Sequence, residues 1–323
     1  MPSCSLIGSA GYAGQELLDR VLAHPDLEVA ALGSDSLVGK GASALDPRLN
    51  GSLPTFVSNE DALATDAEIV FLCLGHEEAA RIEPPADAVV VDLSGAHRLH
   101  RPELYSDWYG FEHPGGLDGW QYALPELYPP QGRLIANPGC YATAALLALA
   151  PLADVLDPSS VVVDAKSGVS GAGRALKPAS HAGFVLENLS AYRVGTHQHA
   201  PEIAQALGFP VAFVPHLLPV KRGLLATCYV RTDADARALL EDAYADSRVV
   251  RVLDAGVVPE LARVQATDAA ELAVFDDRST GLTIVVCAID NLGKGAAGQA
   301  VQNANIALGL DETLGLRLQG VLV

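Results

Sequence analysis

Long apolar runs, paired cysteines and basic residues are all scarce in this sequence of 323 residues. No apolar run approaches the ~18 residues that a membrane-spanning helix needs. The first residues, Met1 to Ile7, lack the basic flank and the long apolar segment of a signal peptide. Both absences predict a cytoplasmic protein without a membrane partner.

The shortage of basic residues is large: 21 lysines and arginines stand against 39 aspartates and glutamates, for a net charge of −18. Such a surface repels phosphate backbones and argues against general nucleic-acid binding. An anionic substrate would need a local basic cluster that opposes the overall field.

The cysteines are few and widely spaced, at positions 4, 73, 140, 228 and 287, with no CxxC pair. An odd count at these spacings fits neither a disulfide framework nor a zinc site, so we expect no metal. Four of them lie in strand-like apolar runs, where cysteine is a small buried hydrophobe. Cys140 is the exception.

The first half of the chain predicts an α/β fold with a parallel sheet. A strand from Cys4 is followed by a glycine turn, a helix over Tyr12–His24 that Pro25 stops, and a strand over Leu27–Leu32. Further strands are expected at residues 68–74 and 88–93. Strands that alternate with helices are typical of this class.

The second half has longer β-rich segments, which favour a mixed or antiparallel sheet in a second, α+β domain. Residues 95–138 read as loops between the domains. An apolar helix is predicted from Cys140 to Leu149, and a last helix over residues 298–308 before Gly309.

A glycine loop joins the first strand to the first helix: Gly8-Ser9-Ala10-Gly11-Tyr12-Ala13-Gly14. Glycines let the backbone approach a pyrophosphate, which the helix N-terminus then binds. The spacing departs from GxGxxG, and an ordinary tight turn is the alternative. Its place in the first βαβ unit favours nucleotide binding.

The segment after the second strand, Gly33 to Lys40, bears on the choice between NAD and NADP. By the logic of ribose recognition, Asp35 would favour NAD. Lys40 would meet a 2′-phosphate if the loop folds back. These residues do not decide between NAD and NADP.

Cys140 stands after Asn137-Pro138-Gly139 and before the predicted helix. A helix N-terminus carries partial positive charge and backbone donors, which favour a thiolate and stabilise an oxyanion. We therefore predict that Cys140 is a nucleophile. Its acid/base partner is sought in His197 and His199, which share one side of an extended segment. Zinc is the rival interpretation of this pair, but no third ligand is evident.

Basic residues gather in the middle of the chain, where glycine turns and hydroxyl groups accompany them in Lys166-Ser167-Gly168 to Arg174. This combination suits a phosphate or a carboxylate. The cluster comprises Lys166, Arg174, Lys177, Arg193, Lys221 and Arg222.

Eight blocks of the sequence resemble N-acetyl-γ-glutamyl-phosphate reductase, a relative of aspartate-semialdehyde dehydrogenase. They are GSAGYAGQELL (8–18), VVDLSGAHRL (90–99), YALPELY (122–128), ANPGCYATAALLAL (136–149), KSGVSGAGR (166–174), ENLSAYRVGTHQHAPEI (187–203), FVPHLLPVKRGLLATCYV (213–230) and AIDNLGKGAAGQAVQNANIALGL (288–310).

The resemblance implies a Rossmann-type cofactor domain, residues 1–139 with 297–323, and a catalytic domain, residues 140–296. It implies NADP, a cysteine nucleophile, His197 and His199 as the acid/base and substrate-contacting pair with His197 preferred as the base, and a homo-oligomer (dimer or tetramer). The reaction it implies is the reduction of an acyl phosphate in arginine biosynthesis. Motifs and resemblance together place the cofactor at Gly8, Ser9, Gly11, Tyr12, Gly14, Ser34, Gly171 and Asn291. They place the substrate at Asn137, Arg98, Lys166, Ser167, Arg174 and Tyr192.

Three departures from the family pattern stand out: Asp35 replaces a frequent arginine, Gln198 lies between the histidines, and Gly95-Ala96-His97 replaces Ala-Asp-Phe. Three alternatives remain. The substrate is held on a carrier protein, as in lysine biosynthesis; the protein is aspartate-semialdehyde dehydrogenase itself; or it is a non-catalytic NADP sensor.

Overall fold

A computed structural model describes residues 1–49, 53–175, 178 and 181–320, and its chain separates into two units. Unit 1 comprises Met1–Pro138 and Ala296–Leu316. Unit 2 comprises Gly139–Gly295 and the end of the chain from Arg317.

Unit 1 is built on a sheet of seven strands in the order β3-β2-β1-β4-β5-β7-β6, and every pair is parallel. Its strands are β1 (Ser3–Ile7), β2 (Glu28–Gly33), β3 (Phe56–Val57), β4 (Ile69–Leu72), β5 (Val89–Asp92), β6 (Trp120–Tyr122) and β7 (Leu134–Ala136). Its helices are α1 (Tyr12–Ala23), α2 (Asn59–Leu63), α3 (His76–Ala79), α4 (Leu104–Tyr109) and α10 (Gly298–Ala307).

The apolar periodicity of α1 explains its packing, because Leu17, Leu18 and Val21 lie on one buried stripe. This stripe joins the same core cluster as Ala300 and Val301 of α10. A parallel sheet needs apolar cover of this kind. The strand order is that of a dinucleotide-binding sheet, which confirms the predicted Rossmann-type domain.

Unit 2 contains a second sheet of seven strands, in the order β12-β13-β14-β11-β8-β10-β9. Its strands are β8 (Val162–Gly168), β9 (Ser190–Ala191), β10 (Ala212–Leu218), β11 (Leu224–Val230), β12 (Val250–Val252), β13 (Ala270–Asp277) and β14 (Leu282–Ile289). Its helices are α5 (Cys140–Leu149), α6 (Ala182–Val185), α7 (His199–Leu207), α8 (Ala236–Ala243) and α9 (Leu261–Val264).

The second sheet is mixed, as the sequence predicted. Strand β8 runs parallel to β10 and antiparallel to β11. Every second residue of β11 from Leu224 to Val230 is buried, and α5 is buried from Tyr141 to Leu149. The helix that begins at Cys140 is therefore a core element of unit 2.

Two expectations require correction. Residues 95–138 are not all loop, because α4, β6 and β7 lie among them, and strands of three residues are too short to show a period. The end of the chain also departs from the predicted division. From Arg317 it belongs to unit 2, where the Arg317 amide donates to Asp268 Oδ2 at 2.7 Å.

No helix in the described part of the chain is long and apolar enough to cross a bilayer.

Candidate active site

Cys140 is the first residue of α5, and its neighbour Gly139 caps the helix with extended backbone, φ −71° and ψ 151°. No side chain caps this helix start. Gly295 packs against the cysteine so closely that a Cβ on Gly295 would lie 2.7 Å from Cys140 Cβ. The nucleophile predicted from sequence therefore lies at a helix N-terminus, where the backbone dipoles favour a thiolate.

The other four cysteines are in a different environment. Burial raises the pKa of the Cys4, Cys73 and Cys228 thiols to about 12, and that of Cys287 well above its ordinary value. These four groups therefore stay protonated near neutral pH. None of the five cysteines forms a disulfide.

A buried carboxylate, Glu202, anchors Gly139, the residue before Cys140. It lies in the first turn of α7 and is fully buried, and its Oε1 accepts the Gly139 amide at 2.7 Å. Its Oε2 lies 4.0 Å from His199 Nε2. The Glu202 side chain thus links the start of α5 to the segment that carries His197 and His199.

The two histidines also come together next to α5, but the expected extended segment is wrong: Gln198 has helical backbone and His199 begins α7. His197 and His199 are almost completely buried, and their ring centroids are 4.7 Å apart. The ring of Tyr141, which follows Cys140, lies 5.6 Å from His197 and 5.8 Å from His199. Gly139 and Tyr141, the two neighbours of Cys140, therefore both contact the segment from His197 to Glu202.

One hydrogen bond decides the tautomer of His197. Its Nδ1 accepts the His199 amide at 3.1 Å, so the neutral ring carries its proton on Nε2. Burial, with the nearby His199 and Arg193, lowers the pKa of His197 to about 2. His197 is consequently a neutral hydrogen-bond donor at physiological pH.

This pKa makes stability depend on pH, and the sign follows from linkage. Below 6.5 the unfolded state binds a proton that folded His197 does not take up until about pH 2, so stability falls as the pH drops. Between pH 7.5 and 5.0, we expect the urea-unfolding free energy of wild type to fall about 2 kcal/mol more than that of His197→Asn. Equal slopes for wild type and His197→Asn would refute the interpretation.

Two tyrosines extend the site. The Tyr192 hydroxyl donates to the Tyr141 hydroxyl at 3.3 Å, and the latter donates to the His216 carbonyl at 2.9 Å. Burial raises the pKa of Tyr192 to about 12, so the group is neutral. The Tyr192 ring lies 5.5 Å from His197, which brings this predicted substrate residue to the histidine pair.

Several other predicted residues come together in unit 2. A Cβ on Gly171 would lie 3.1 Å from Ser167 Oγ and 3.8 Å from Asn291 Nδ2. The Asn291 amide nitrogen donates to Ser170 Oγ at 2.9 Å, and its oxygen accepts the Gly223 amide at 2.8 Å. The two glycine-rich blocks that carry these residues therefore form one cluster.

Neighbouring carboxylates neutralise more of the positive charge of the basic cluster than the sequence indicated. Lys166 Nζ is 2.6 Å from Asp164 Oδ2, and Arg222 Nε is 2.5 Å from the buried Asp290. Arg193 donates to Gln198 at 2.5 Å. Arg174 is exposed, and Lys177 lies outside the described residues. Substrate binding by Lys166 and Arg174 stays a prediction.

The glycine loop of unit 1 has the geometry expected for binding a dinucleotide. Gly8 has φ +75°, and a Cβ there would lie 2.7 Å from the Cys73 carbonyl oxygen at the end of β4. A Cβ on Gly14 would lie 2.6 Å from Ser9 Cα. Beside Gly11 the nearest atom to such a Cβ is the Gly8 oxygen at 3.7 Å, so space remains at the start of α1. The loop therefore fits a pyrophosphate.

Around this loop, the fully buried Ser9 donates its hydroxyl to the Gly33 carbonyl at 2.9 Å, which ties the loop to β2. Tyr12 is partly exposed at the first position of α1, and Ser34 is nearly buried just after β2. Cofactor contact by these side chains stays a prediction.

Arg98 and Asn137 brace the segment that leads to Cys140. Arg98 Nε donates to the Asn137 carbonyl and Nη2 to the Leu93 carbonyl, both at 2.8 Å. Asn137 is fully buried; its amide nitrogen donates to Ala296 O at 3.2 Å and its side-chain oxygen accepts from Asn303 at 3.0 Å. The predicted contact of both residues with substrate remains untested.

Sequence reasoning missed Glu202, Tyr141 and Asn59. Glu202 follows His199 by three residues, so it lies on the same side of α7, and this spacing was the available signal. Asn59 accepts the Gly8 amide at 2.9 Å through Oδ1. It lies 51 residues from the loop, and no local pattern indicates the contact.

Comparison with known proteins agrees with this arrangement. The family model described as "Semialdehyde dehydrogenase, NAD binding domain" matches residues 3–134, and "Semialdehyde dehydrogenase, dimerisation domain" matches residues 140–291. The fold is that of solved aspartate semialdehyde dehydrogenases. The Vibrio cholerae type II enzyme superposes with a TM-score of 0.74, at 19% identity over 96% of this chain and 98% of that one. The two family models thus define a protein of the semialdehyde dehydrogenase class.

Proteins similar in sequence identify the family within this class. N-acetyl-gamma-glutamyl-phosphate reductase of Salinispora tropica is 45% identical over 98% of both chains. A probable chloroplastic N-acetyl-gamma-glutamyl-phosphate reductase of Arabidopsis thaliana is 40% identical over 96% of this chain and 83% of that protein. The chain belongs to the N-acetyl-gamma-glutamyl-phosphate reductase family.

Proposed function

We propose that this chain reduces N-acetyl-γ-glutamyl phosphate to N-acetylglutamate semialdehyde with NADPH, releasing phosphate, as a step of arginine biosynthesis. The observation that carries the proposal is Cys140 at the start of α5, with Gly139 and Tyr141 in contact with the histidine segment. The names of relatives at 40–45% identity over nearly the whole chain supply the substrate.

In the first step, the Cys140 thiolate attacks the γ-carbonyl carbon. A carbon–sulfur bond forms, the bond to the phosphate oxygen breaks, and a thioester remains on Cys140. Backbone N–H groups at the start of α5 are donors for the oxyanion of the tetrahedral intermediate.

NADPH, when bound at the glycine loop, supplies the hydride for the second step. The thioester carbon becomes tetrahedral, and the carbon–sulfur bond then breaks to release the semialdehyde and restore the thiolate. The cysteine thus ends the cycle in the state in which it began.

The histidines have separate roles in this scheme. His197, a neutral Nε2–H donor, stabilises negative charge on sulfur or on the carbonyl oxygen. The overall reaction consumes one proton, which the departing phosphate takes up. We assign delivery of this proton to His199, because a carboxyl oxygen of Glu202 lies 4.0 Å from its Nε2 and helps to orient the ring.

The decisive experiment is the reverse reaction: oxidation of N-acetylglutamate semialdehyde with NADP and inorganic phosphate. We expect reduced cofactor to form only when phosphate is present. A reaction that needs the semialdehyde on a carrier protein would favour the lysine-pathway substrate. Cofactor binding without any turnover would favour a sensor.

The proposal extends to assembly and location. The match of residues 140–291 to a dimerisation domain supports a homo-oligomer, a dimer or tetramer, formed through unit 2. The small-molecule substrate of a biosynthetic step supports a cytoplasmic location. Size-exclusion chromatography with light scattering would measure the assembly; a monomer at micromolar concentration would contradict the proposal.

A further inference from the structure

The buried carboxylate of Asp290 accepts hydrogen bonds from three segments of unit 2. Asp290 directly follows β14 and is fully buried. Its Oδ2 accepts Arg222 Nε and the Ala266 amide, each at 2.5 Å. Its Oδ1 accepts the Leu292 amide at 2.8 Å and the Gly293 amide at 3.2 Å. Burial of a carboxylate is tolerated when it is paired and hydrogen-bonded, so these four donors fix the position of Asp290.

One of these donors has strained backbone. Ala266 has φ +60°, in the left-handed region that residues with a Cβ rarely adopt. The preceding residue, Gln265, donates its Nε2 to the Arg222 carbonyl at 2.6 Å. Such strain persists where the surrounding structure determines it, and it is concentrated at functional sites. Asp290 and Arg222 thus hold Ala266 in a conformation that it would not adopt alone.

The turn that follows Asp290 contacts the nucleophile. Residues Gly293–Ala297 form one π-helical turn, an element that is frequent at functional sites. Within it, the Gly295 amide donates to the Asp290 carbonyl at 2.9 Å. A Cβ on Gly295 would lie 2.7 Å from Cys140 Cβ and 3.1 Å from the Asp290 carbonyl oxygen. The bare backbone of Gly295 therefore covers one side of Cys140.

We propose that Asp290 is a positioning residue for Cys140: its carboxylate, with Arg222 as counter-ion, holds the turn that places Gly295 against the nucleophile. The inference rests on the proposed function, in which Cys140 attacks the substrate. Attack requires a fixed distance and direction, and a displacement of about 1 Å costs about 10²-fold in rate. Arg222 was expected in a cluster that binds an anionic ligand; its anion is Asp290.

Gly295→Ala tests the contact with Cys140 directly. The added methyl group displaces Cys140 or the turn, so we expect kcat of the reverse reaction to fall about 10²-fold. The KM for the semialdehyde should stay within about 3-fold of wild type. Gly41→Ala is the matched control, because a Cβ on Gly41 would meet nothing closer than Ser43 Oγ at 3.8 Å. Wild-type kcat in Gly295→Ala would overturn the proposal.

Asp290→Asn tests the carboxylate. The amide nitrogen of asparagine cannot accept hydrogen bonds from Arg222 and Ala266, so the turn loses its attachment to both segments. We expect kcat to fall roughly 10- to 100-fold, again with KM within about 3-fold of wild type. Arg222→Gln breaks the same ion pair at its partly exposed end, and its kcat should fall as well. This variant tests the proposal even if Asp290→Asn does not fold.

Glu271→Gln is the matched control for loss of a buried carboxylate. Glu271 is nearly buried in β13 and accepts Arg263 Nε at 2.9 Å, but it lies outside the turn after Asp290. Its amide variant should lose unfolding free energy, measured with urea, and keep the wild-type kcat. Equal losses of kcat in Glu271→Gln and Asp290→Asn would refute the positioning role.

Alkylation of Cys140 by iodoacetamide reports its surroundings without any substrate. Gly295→Ala should slow the reaction, because the methyl group screens the thiol. Asp290→Asn should accelerate it while kcat falls, because the turn that covers Cys140 is released. Mass spectrometry should find no added label on Cys228 or Cys287, which are fully buried. Faster labelling of all three cysteines in Asp290→Asn would show general loosening and refute the proposal.

These outcomes separate the inference from the proposed function. If wild type does not oxidise the semialdehyde, the proposed function fails, and the alkylation rates still test the position of Cys140. If wild type does oxidise it, and Asp290→Asn changes neither kcat nor the alkylation rate, only the role of Asp290 fails.

Discussion

Replacing Cys140 with serine should lower turnover by roughly 10⁴- to 10⁶-fold, the scale at which enzymes lose activity when a covalent nucleophile is removed. A serine hydroxyl at the start of α5 is not ionised at neutral pH, so it cannot form the acyl intermediate at a useful rate. Affinity for NADPH should be unchanged, because serine is close to cysteine in size and the substitution leaves the glycine loop as it is. Initial rates and a fluorescence titration with NADPH measure the two properties.

Cys228→Ala is the matched control, because it removes a thiol from the buried face of β11. It should keep its turnover per folded molecule. With iodoacetamide near neutral pH, mass spectrometry should find one label on wild type, at Cys140, since burial keeps the other thiols protonated. Activity of Cys140→Ser near the wild-type level, or labelling mainly at another cysteine, would contradict the assignment.

Replacing Glu202 with alanine should have the second largest effect. The change leaves the Gly139 amide without its acceptor in a buried position, which costs about 1–3 kcal/mol of unfolding free energy. It also releases the residue that sets the position of Cys140, so we expect kcat to fall about 10²-fold, the loss that a misplaced reacting group causes. Urea unfolding and steady-state kinetics measure both losses.

Glu202→Gln separates positioning from charge. Glutamine keeps an oxygen for the Gly139 amide, so stability should return to within about 1 kcal/mol of wild type. The charge next to His199 is gone, so kcat should stay below the wild-type value if this charge assists proton delivery by His199. A kcat restored to the wild-type value would limit Glu202 to a structural role and would remove the support for His199 as the proton donor.

Local patterns were sufficient for the elements that hold the site. The stripe of Leu17, Leu18 and Val21 predicted α1, and the glycine spacing predicted the turn before it. The Pro138-Gly139 turn predicted a helix start at Cys140, because proline and glycine mark such boundaries. Helix periods and turn residues act within a few positions, and sequence alone displays them.

The partners of the charged residues were not predictable from local patterns in the way that the helices and turns were. The basic cluster looked available for an anion, but Asp164 and Asp290 neutralise Lys166 and Arg222. Asp164 is two residues from Lys166, whereas Asp290 is 68 residues from Arg222. Asp35 looked like a ribose ligand, and its carboxylate is turned to Asn59 instead.

The sequence by itself determined the two-domain α/β organisation, the glycine loop, the single cysteine at a helix start and the histidine pair, because each is written in neighbouring residues. Only the tertiary structure decided that Glu202 holds Gly139 across 63 residues and that Asn59 holds Gly8 across 51. It also set the neutral tautomer of buried His197. Burial and long-range hydrogen bonds depend on which surfaces the packed elements bring together, and no local pattern records that.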